Sequence, residues 1–419
     1  MATGNKPFPQ MHPISGFKLG TTSAGIKTPG RSDLVVMELQ AGSTVAGVFT
    51  QNAFCAAPVV VAKQHLSDAA PRYLVTNTGN ANAGTGDQGM TDALASCAAL
   101  AQLQGVAADQ VLPFSTGVIG EPLPIEKLLA ALPAAVAALD ENAWTEAAEG
   151  ILTTDTRAKG ASLQYQSNSG SPNSGSPNSG SKELITITGI TKGSGMIKPN
   201  MATMLGYVAT DAKVDAELLQ RALRLVANKS FNRITVDSDT STNDAVILVA
   251  TGASDLVIDE SNFEQFVAQL EIVFIELAQS IIRDGEGASK FVTVVVDGAL
   301  DSAEALKVAY TVAESPLVKT ALAASDANWG RILAAVGRAG VENLDVSRVS
   351  VRLNKVLIVE AGGRAASYTE AAGEQAMAPE DITIHISLDR GAPEQSVTET
   401  IWTTDLTYEY VRINAEYRT

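Results

Sequence analysis

Short apolar runs rich in β-branched residues alternate along this chain with long amphipathic stretches, and that alternation restricts it to a mixed α/β fold. Strands are expected at DLVVMEL, YLVTN, ELITITGI, DAVILVATG, FVTVVV, VSVRLNKVLIVE, DITIHISL and the final LTYEYVRINAEY. Helical spacing marks MTDALASCAALAQLQ, AELLQRALRLVAN, NFEQFVAQLEIVFIELAQSIIR, SPLVKTALAAS and IEKLLAALPAAVAAL, the last with a proline interruption. Several strands follow one another near the end, which argues against a simple βαβ repeat throughout. One segment stands apart: residues 167–181, SNSGSPNSGSPNSGS, repeat SPNSG and hold nothing that builds a core. Such a composition makes a solvated connector. Because it joins ASLQYQ to KELITITGI, it reads as an expanded hairpin loop, with a domain boundary as the alternative.

A chain of 419 residues is long enough for two or three domains or for one compact unit of several lobes. It carries 30 Lys and Arg against 46 Asp and Glu, a formal charge of −16, which argues against nucleic-acid binding because phosphate neutralisation needs clustered cations. The first residues lack the pattern of a secretory signal, and no stretch approaches eighteen uninterrupted apolar residues. The default expectation is a cytoplasmic protein with no membrane partner. Cys55 and Cys97 are too far apart in sequence to suggest a zinc site or a disulfide framework, so both are read as small buried hydrophobes. His12, His65 and His385 have no metal-ligand spacing either, and no metal is expected. His385 sits in the alternating DITIHISL as a strand residue, so a general base, if there is one, is expected not to be histidine.

Three polar or glycine-rich runs invite functional readings. GTGDQG at 84–89 matches G-x-G-x-x-G, but NTGNANA separates it from the preceding strand and Asp87 would repel a pyrophosphate, so a structural or substrate loop is favoured over a nucleotide site. VDSDTSTNDA at 236–245 has Asp237, Asp239 and Ser241 at alternate positions, yet Thr242 and Leu248 stand where an EF-hand needs Gly and Glu. It reads as polar side chains tying down a loop. In FSTGVIGEPLP at 114–124, the Thr116 hydroxyl beside the Gly117 amide suits an oxyanion, although Ser-Thr-Gly is also an ordinary turn.

KGSGMIKPNMATML, residues 192–205, places glycines, a Pro-Asn pair and Thr203 between two apolar segments. Cleavage between Ala202 and Thr203 would free an α-amine with a pKa of about 8, able to take the proton of the hydroxyl in the same residue. Pro199 restricts Lys198 and would help hold the scissile peptide in a turn. The plainer alternative is that Met201, Met204 and Leu205 open a buried segment.

Taken together, KGSGMIKPNMATML, NTGNANAGTGDQG, FSTGVIG, TTDTRAKGA, SFNRITVDSDTSTNDA, RDGEGASKF, DANWGRI and INAEYRT resemble, in order and over nearly the whole chain, the ornithine acetyltransferase family of arginine biosynthesis. The resemblance implies sandwiched sheets and helices, layered like N-terminal-nucleophile hydrolases but differently connected. It implies a precursor that cuts itself into residues 1–202 and 203–419, which stay together as a heterotetramer of two of each chain. The reaction implied is acetyl transfer from N2-acetyl-L-ornithine to L-glutamate through an acetyl-threonine, with no cofactor and with acetyl-coenzyme A as a further donor in some members.

On this sequence Thr203 matches the nucleophile, and Thr116 and Gly117 match the oxyanion pair. Thr153, Lys192, Glu286, Asn414 and Thr419 match substrate-binding positions, with Thr154 adjacent to Thr153 as the alternative alignment. Lys192 can meet a carboxylate and Glu286 an amine; the plain alternatives are a solvated loop lysine and a partner for Arg283. Three features depart from the family pattern: the lengthened SPNSG loop, Gly84 where a cysteine is expected, and Ser238 where a glycine is expected. Two other readings remain: an autoprocessed amidase or aminopeptidase, and a metabolite-binding protein that stays uncut.

Overall fold

The computed structural model describes residues 3–4, 6–168, 182–198, 204–391 and 396–416. Ala202, Thr203, Thr419 and the SPNSG repeat beyond Asn168 lie outside them. Two sheets stack at the centre. The first runs in the order Phe17–Thr22, Leu34–Leu39, Tyr73–Asn80 and Val111–Val118; the second runs Thr44–Phe49, Ala245–Ala250, Leu205–Thr210, Lys182–Lys192 and Lys159–Asn168.

Alternation along the strands explains the stacking, since successive side chains point to opposite faces. Leu205, Tyr207 and Ala209 join a core with Phe17, Leu19, Met37, Leu74 and Phe114 of the first sheet. Val208, Val246 and Leu248 face the other way, against the helices Ala216–Lys229 and Phe263–Arg283. The outer face of the first sheet, Leu34, Val36, Tyr73 and Val75, is covered by Cys97 and Leu100 of the helix Gly86–Gln104 and by Leu128 and Leu132 of Ile125–Ala137. The result is helix, sheet, sheet, helix. A seven-stranded sheet built from Ile234–Thr235 and residues beyond 290 carries its own core, with the helices Ser302–Ala313 and Trp329–Gly337 on it.

The helix Phe263–Arg283 has the length and apolar character of a membrane span. It spends that character inside: Phe266, Leu270, Phe274, Leu277 and Ile281, spaced three or four apart, are all fully buried, each worth about 1.5–3 kcal/mol of burial.

The hairpin expected around the SPNSG repeat is present, with Lys159–Asn168 pairing antiparallel from Lys159↔Thr191 to Asn168↔Lys182. Three expectations need correction. VSVRLNKVLIVE is two antiparallel strands, Ser350–Leu353 and Val356–Glu360, turned at Asn354 with φ 51°, a conformation asparagine tolerates better than most residues. The helix Ile125–Ala137 runs through Pro133 instead of stopping there. The tail LTYEYVRINAEY is a helix, Tyr408–Ala415, and not a strand. Arg412 pairs with Glu409 at 2.5 Å and with Glu416 at 3.2 Å, contacts that three- and four-residue helical spacing allows and an extended chain does not.

Candidate active site

A cavity of about 280 Å³ opens where the two stacked sheets, the residues after the strand Lys182–Lys192 and the C-terminal helix meet. It is lined by Thr116, Gly117, Thr153, Thr154, Lys192, Met204, Ser241, Asn243, Asp244, Glu286 and Asn414, among others. The size, just under the usual range of about 300–1,000 Å³, suits a metabolite of amino-acid dimensions. Six of the residues singled out in the sequence, Thr116, Gly117, Thr153, Lys192, Glu286 and Asn414, therefore share one wall system. Thr203 and Thr419 fall outside the described residues, but Met204, bonded to Thr203, is part of the lining.

Thr116 and Gly117 sit at an irregularity in the sheet. Asn80 pairs with both Thr116 and Val118, so the ladder slips past Gly117. Bulges of this kind re-aim backbone groups beside functional sites. Gly117 has φ 137°, and a Cβ there would stand 2.3 Å from the carbonyl carbon of Gly79, so no other residue fits.

Lys192 ends its strand with its Nζ donating to Thr116 Oγ1 at 3.3 Å and standing 4.0 Å from Asp155 Oδ2. Burial pushes its ammonium below the ordinary lysine value, against the pull of Asp155. The solvated-loop reading of Lys192 is thereby excluded, for the residue is 8% exposed.

Asp155 is held in turn by Lys159 at 2.6 Å, which also reaches Asp284 at 2.6 Å, and by the Gly193 N–H at 2.7 Å. Burial would raise the Asp155 carboxyl, but Lys159 and Lys192 outweigh it and hold it well below the usual carboxylate range. The group is thus a fixed negative charge behind Lys192.

Glu286 lines the same cavity, beside the C-terminal helix. Its Oε2 accepts from Asn414 Nδ2 at 2.7 Å, and a Cβ on Gly195 would lie 2.4 Å from its carboxyl carbon. Burial raises its carboxyl, with the Asn414 and Thr154 hydrogen bonds opposing. Arg283 is not its partner: that guanidinium makes two 2.8 Å hydrogen bonds to Asp381. Both Thr153 and Thr154 line the cavity; Thr154 Oγ1 bonds Ser194 Oγ at 2.8 Å, and the Thr153 N–H donates to Asp155 at 3.0 Å.

The run 236–245 does more than tie down a loop. Asp237 accepts the N–H groups of Met196 at 2.6 Å and Ile197 at 2.9 Å and the Tyr410 hydroxyl at 3.1 Å, joining the segment that follows the strand Lys182–Lys192 to the C-terminal helix. Asn243 donates to the carbonyls of Ala81 at 2.6 Å and Ser115 at 2.9 Å, fixing the bulge that presents Thr116. Ser241 and Asp244 complete the lining; in the sequence Ser241 stood out only by its alternate spacing with Asp237 and Asp239, and Asp244 did not stand out. By contrast GTGDQG is structural: Thr85 bonds Asn82, and Asn82 bonds the Gly89 carbonyl. Among the described residues no group of three His, Cys, Asp or Glu is placed to hold a metal ion. His385 bonds Asp297 on the seven-stranded sheet, and Cys97 is buried with its thiol pushed up to about 12 by desolvation.

A family model described as the ArgJ family matches residues 18–419. This chain belongs to the ArgJ family. It is 58% identical, over the full length of both proteins, to the arginine biosynthesis bifunctional protein ArgJ of Pseudomonas fluorescens, and likewise 58% identical to that of Pseudomonas syringae pv. tomato. Among solved structures, the ArgJ of Bacillus halodurans is 38% identical and matches 51% of this chain and 99% of that one, with a TM-score of 0.48. The ornithine acetyltransferase of Mycobacterium tuberculosis, solved with ornithine, is 31% identical over 45% of this chain and 94% of that one, with a TM-score of 0.37.

Proposed function

We propose that this chain is a glutamate N-acetyltransferase of arginine biosynthesis that moves the acetyl group of N2-acetyl-L-ornithine to L-glutamate. The observation that carries the reading is the one cavity that Lys192, Glu286 and the Thr116–Gly117 bulge line together. One cation, one carboxylate and two oxyanion donors are what transfer between two zwitterions requires.

After cleavage between Ala202 and Thr203, the Thr203 hydroxyl attacks the acetyl carbonyl and its proton passes to the Thr203 α-amine. The oxyanion is held by the Thr116 hydroxyl and the Gly117 N–H. Because Lys192 donates to Thr116 Oγ1, the Thr116 oxygen is polarised and its own proton is left for the oxyanion. Collapse breaks the carbon–nitrogen bond, the ammonium proton goes to the departing amine, and ornithine leaves an acetyl ester on Thr203. The amine of glutamate then attacks that ester and the same steps run in reverse. Thr153, Asn414 and Thr419 orient the substrates by hydrogen bonding.

The relatives' description as bifunctional supports a second acetyl donor, for which acetyl-coenzyme A is our assignment. Two of each chain assemble as a heterotetramer in the cytoplasm. Intact mass under denaturing conditions, before and after N2-acetylornithine, tests the reading. Two chains splitting at Ala202 and Thr203, with an acetyl on the second alone, are expected. A single chain that never gains an acetyl would overturn it, and acetate released without an amine acceptor would make the enzyme an amidohydrolase.

A further inference from the structure

Behind the cavity wall lies a cluster of charges that the transfer steps above leave unused. The side chains of Asp155, Lys159 and Asp284 are at most 1% exposed, and the Lys159 ammonium lies 2.6 Å from a carboxylate oxygen of each acid. Lys192 Nζ stands 4.0 Å from the other Asp155 oxygen. Two acids and two ammonium groups thus form a neutral set, and Lys192 is the member that lines the cavity. Charges buried this deeply persist only in such balance.

Asp155 is the centre of the set. Its Oδ1 accepts the Gly193 N–H at 2.7 Å beside the Lys159 ammonium, and its Oδ2 accepts the Thr153 N–H at 3.0 Å. Thr153 and Gly193 both line the cavity, on either side of the lysine head. Beyond Lys159, Asp284 accepts the Thr156 N–H at 3.0 Å, which anchors the same short segment a second time. A carboxylate locked in this way can place a neighbouring ammonium without touching substrate itself.

We propose that Asp155 is a positioning residue for carboxylate recognition: locked by Lys159, it fixes the Lys192 ammonium on the cavity wall as the seat of a substrate carboxylate. The proposal rests on the reading of the cavity as a site of acetyl transfer between amino acids.

The charge of Lys192 depends on the same contact. The charged groups around it are Asp155 and Lys159, from just before and at the start of the strand Lys159–Asn168, Asp244 before the strand Ala245–Ala250, and Glu286 beyond the helix Phe263–Arg283. Burial works against the ammonium and Lys159 adds to that; Asp155 is the leading opposing charge. Asp244 and Glu286 are themselves raised by burial, whereas Asp155 is depressed and stays ionised. Without Asp155, Lys192 would give up its proton at a lower pH. The neutral amine would no longer attract a carboxylate, although it would still donate to Thr116 Oγ1.

The test compares the native protein with Asp155→Asn at saturating glutamate on two donors, N2-acetyl-L-ornithine and N-acetyl-1,4-diaminobutane, the second being the first without its carboxylate. The native protein is expected to favour the first by about 100-fold in kcat/KM, the size of a charge-assisted contact. In Asp155→Asn the pair Lys159 and Asp284 remains balanced, so the variant is expected to fold. Its preference is expected to shrink to about tenfold or less, through KM, with kcat lowered by less than about threefold. The rise of KM for N2-acetylornithine with pH is expected to begin at a lower pH than in the native protein, because the ammonium binds and the amine does not. Should Asn fail to fold, Asp155→Ser decides by the same two readouts. A variant with the native preference and the native pH profile would overturn the proposal. So would an equal loss on both donors, the mark of a residue that only fastens the loop. A native protein indifferent to the carboxylate would overturn the reading of the cavity, and the proposal with it.

Discussion

At the scale of single residues, Gly117 carries the sharpest steric demand. A Cβ on it would stand 2.3 Å from the Gly79 carbonyl carbon, so Gly117→Ala must displace the bulge and with it the amide proposed to hold the oxyanion. The variant is expected to fold and to lose about 100-fold or more in kcat, the size of an oxyanion donor, as measured by steady-state kinetics on protein whose processing is checked by mass. The two most strongly shifted carboxyls bend stability in opposite directions. Asp155 is depressed, so its contribution is present above the ordinary carboxylate range and is lost as pH falls through its folded value. Asp244 is raised, so its contribution is complete below the ordinary range and is lost as pH rises through its folded value. The melting temperature of Asp244→Asn should therefore gain on the native protein as pH rises above the ordinary carboxylate range; a difference that stays constant with pH would contradict the shift.

At the scale of elements, what could be read from the sequence depended on how far a residue's partner lies along the chain. Thr116, Gly117, Lys192 and Glu286 stand in short glycine-bearing motifs, so they were visible as candidates, although only the family resemblance said that they meet. Asn243 was passed over because its meaning comes from carbonyls far back in the chain, Ala81 and Ser115 at the edge of the other sheet. The tail misled for a related reason. Tyr408, Tyr410, Val411 and Ile413 look like strand residues, but Arg412 favours the helix, and Tyr410 docks it on Asp237 at 3.1 Å. That dock sets the position of Asn414 one turn later, so Tyr410→Phe should raise KM for N2-acetylornithine by about three- to tenfold, the net value of one ordinary hydrogen bond, while kcat stays within about twofold. An unchanged KM would show that the helix is held by its other contacts.

At the scale of the whole molecule, the two stacked sheets are joined by more than apolar packing. The Tyr207 hydroxyl and Thr76 Oγ1 lie 2.8 Å apart in the fully buried layer between them. Tyr207→Phe leaves Thr76 unpaired there and should cost about 1–3 kcal/mol, read as a lower midpoint in urea with an unchanged slope. The stacking has a further effect through the strands on either side of the proposed cleavage point. Lys182–Lys192 and Leu205–Thr210 are neighbours in one ladder, paired from Lys192↔Leu205 to Ile187↔Thr210. A cut between Ala202 and Thr203 therefore leaves both products bonded to each other, and the folded molecule loses almost nothing by it. The unfolded state changes its order of reaction: an uncut chain refolds alone, whereas a cut one must find its partner, so recovery from denaturation becomes dependent on concentration. Under the proposed cleavage the enzyme would be assembled once, as a single thread, and what it would forget on being cut is how to fold by itself.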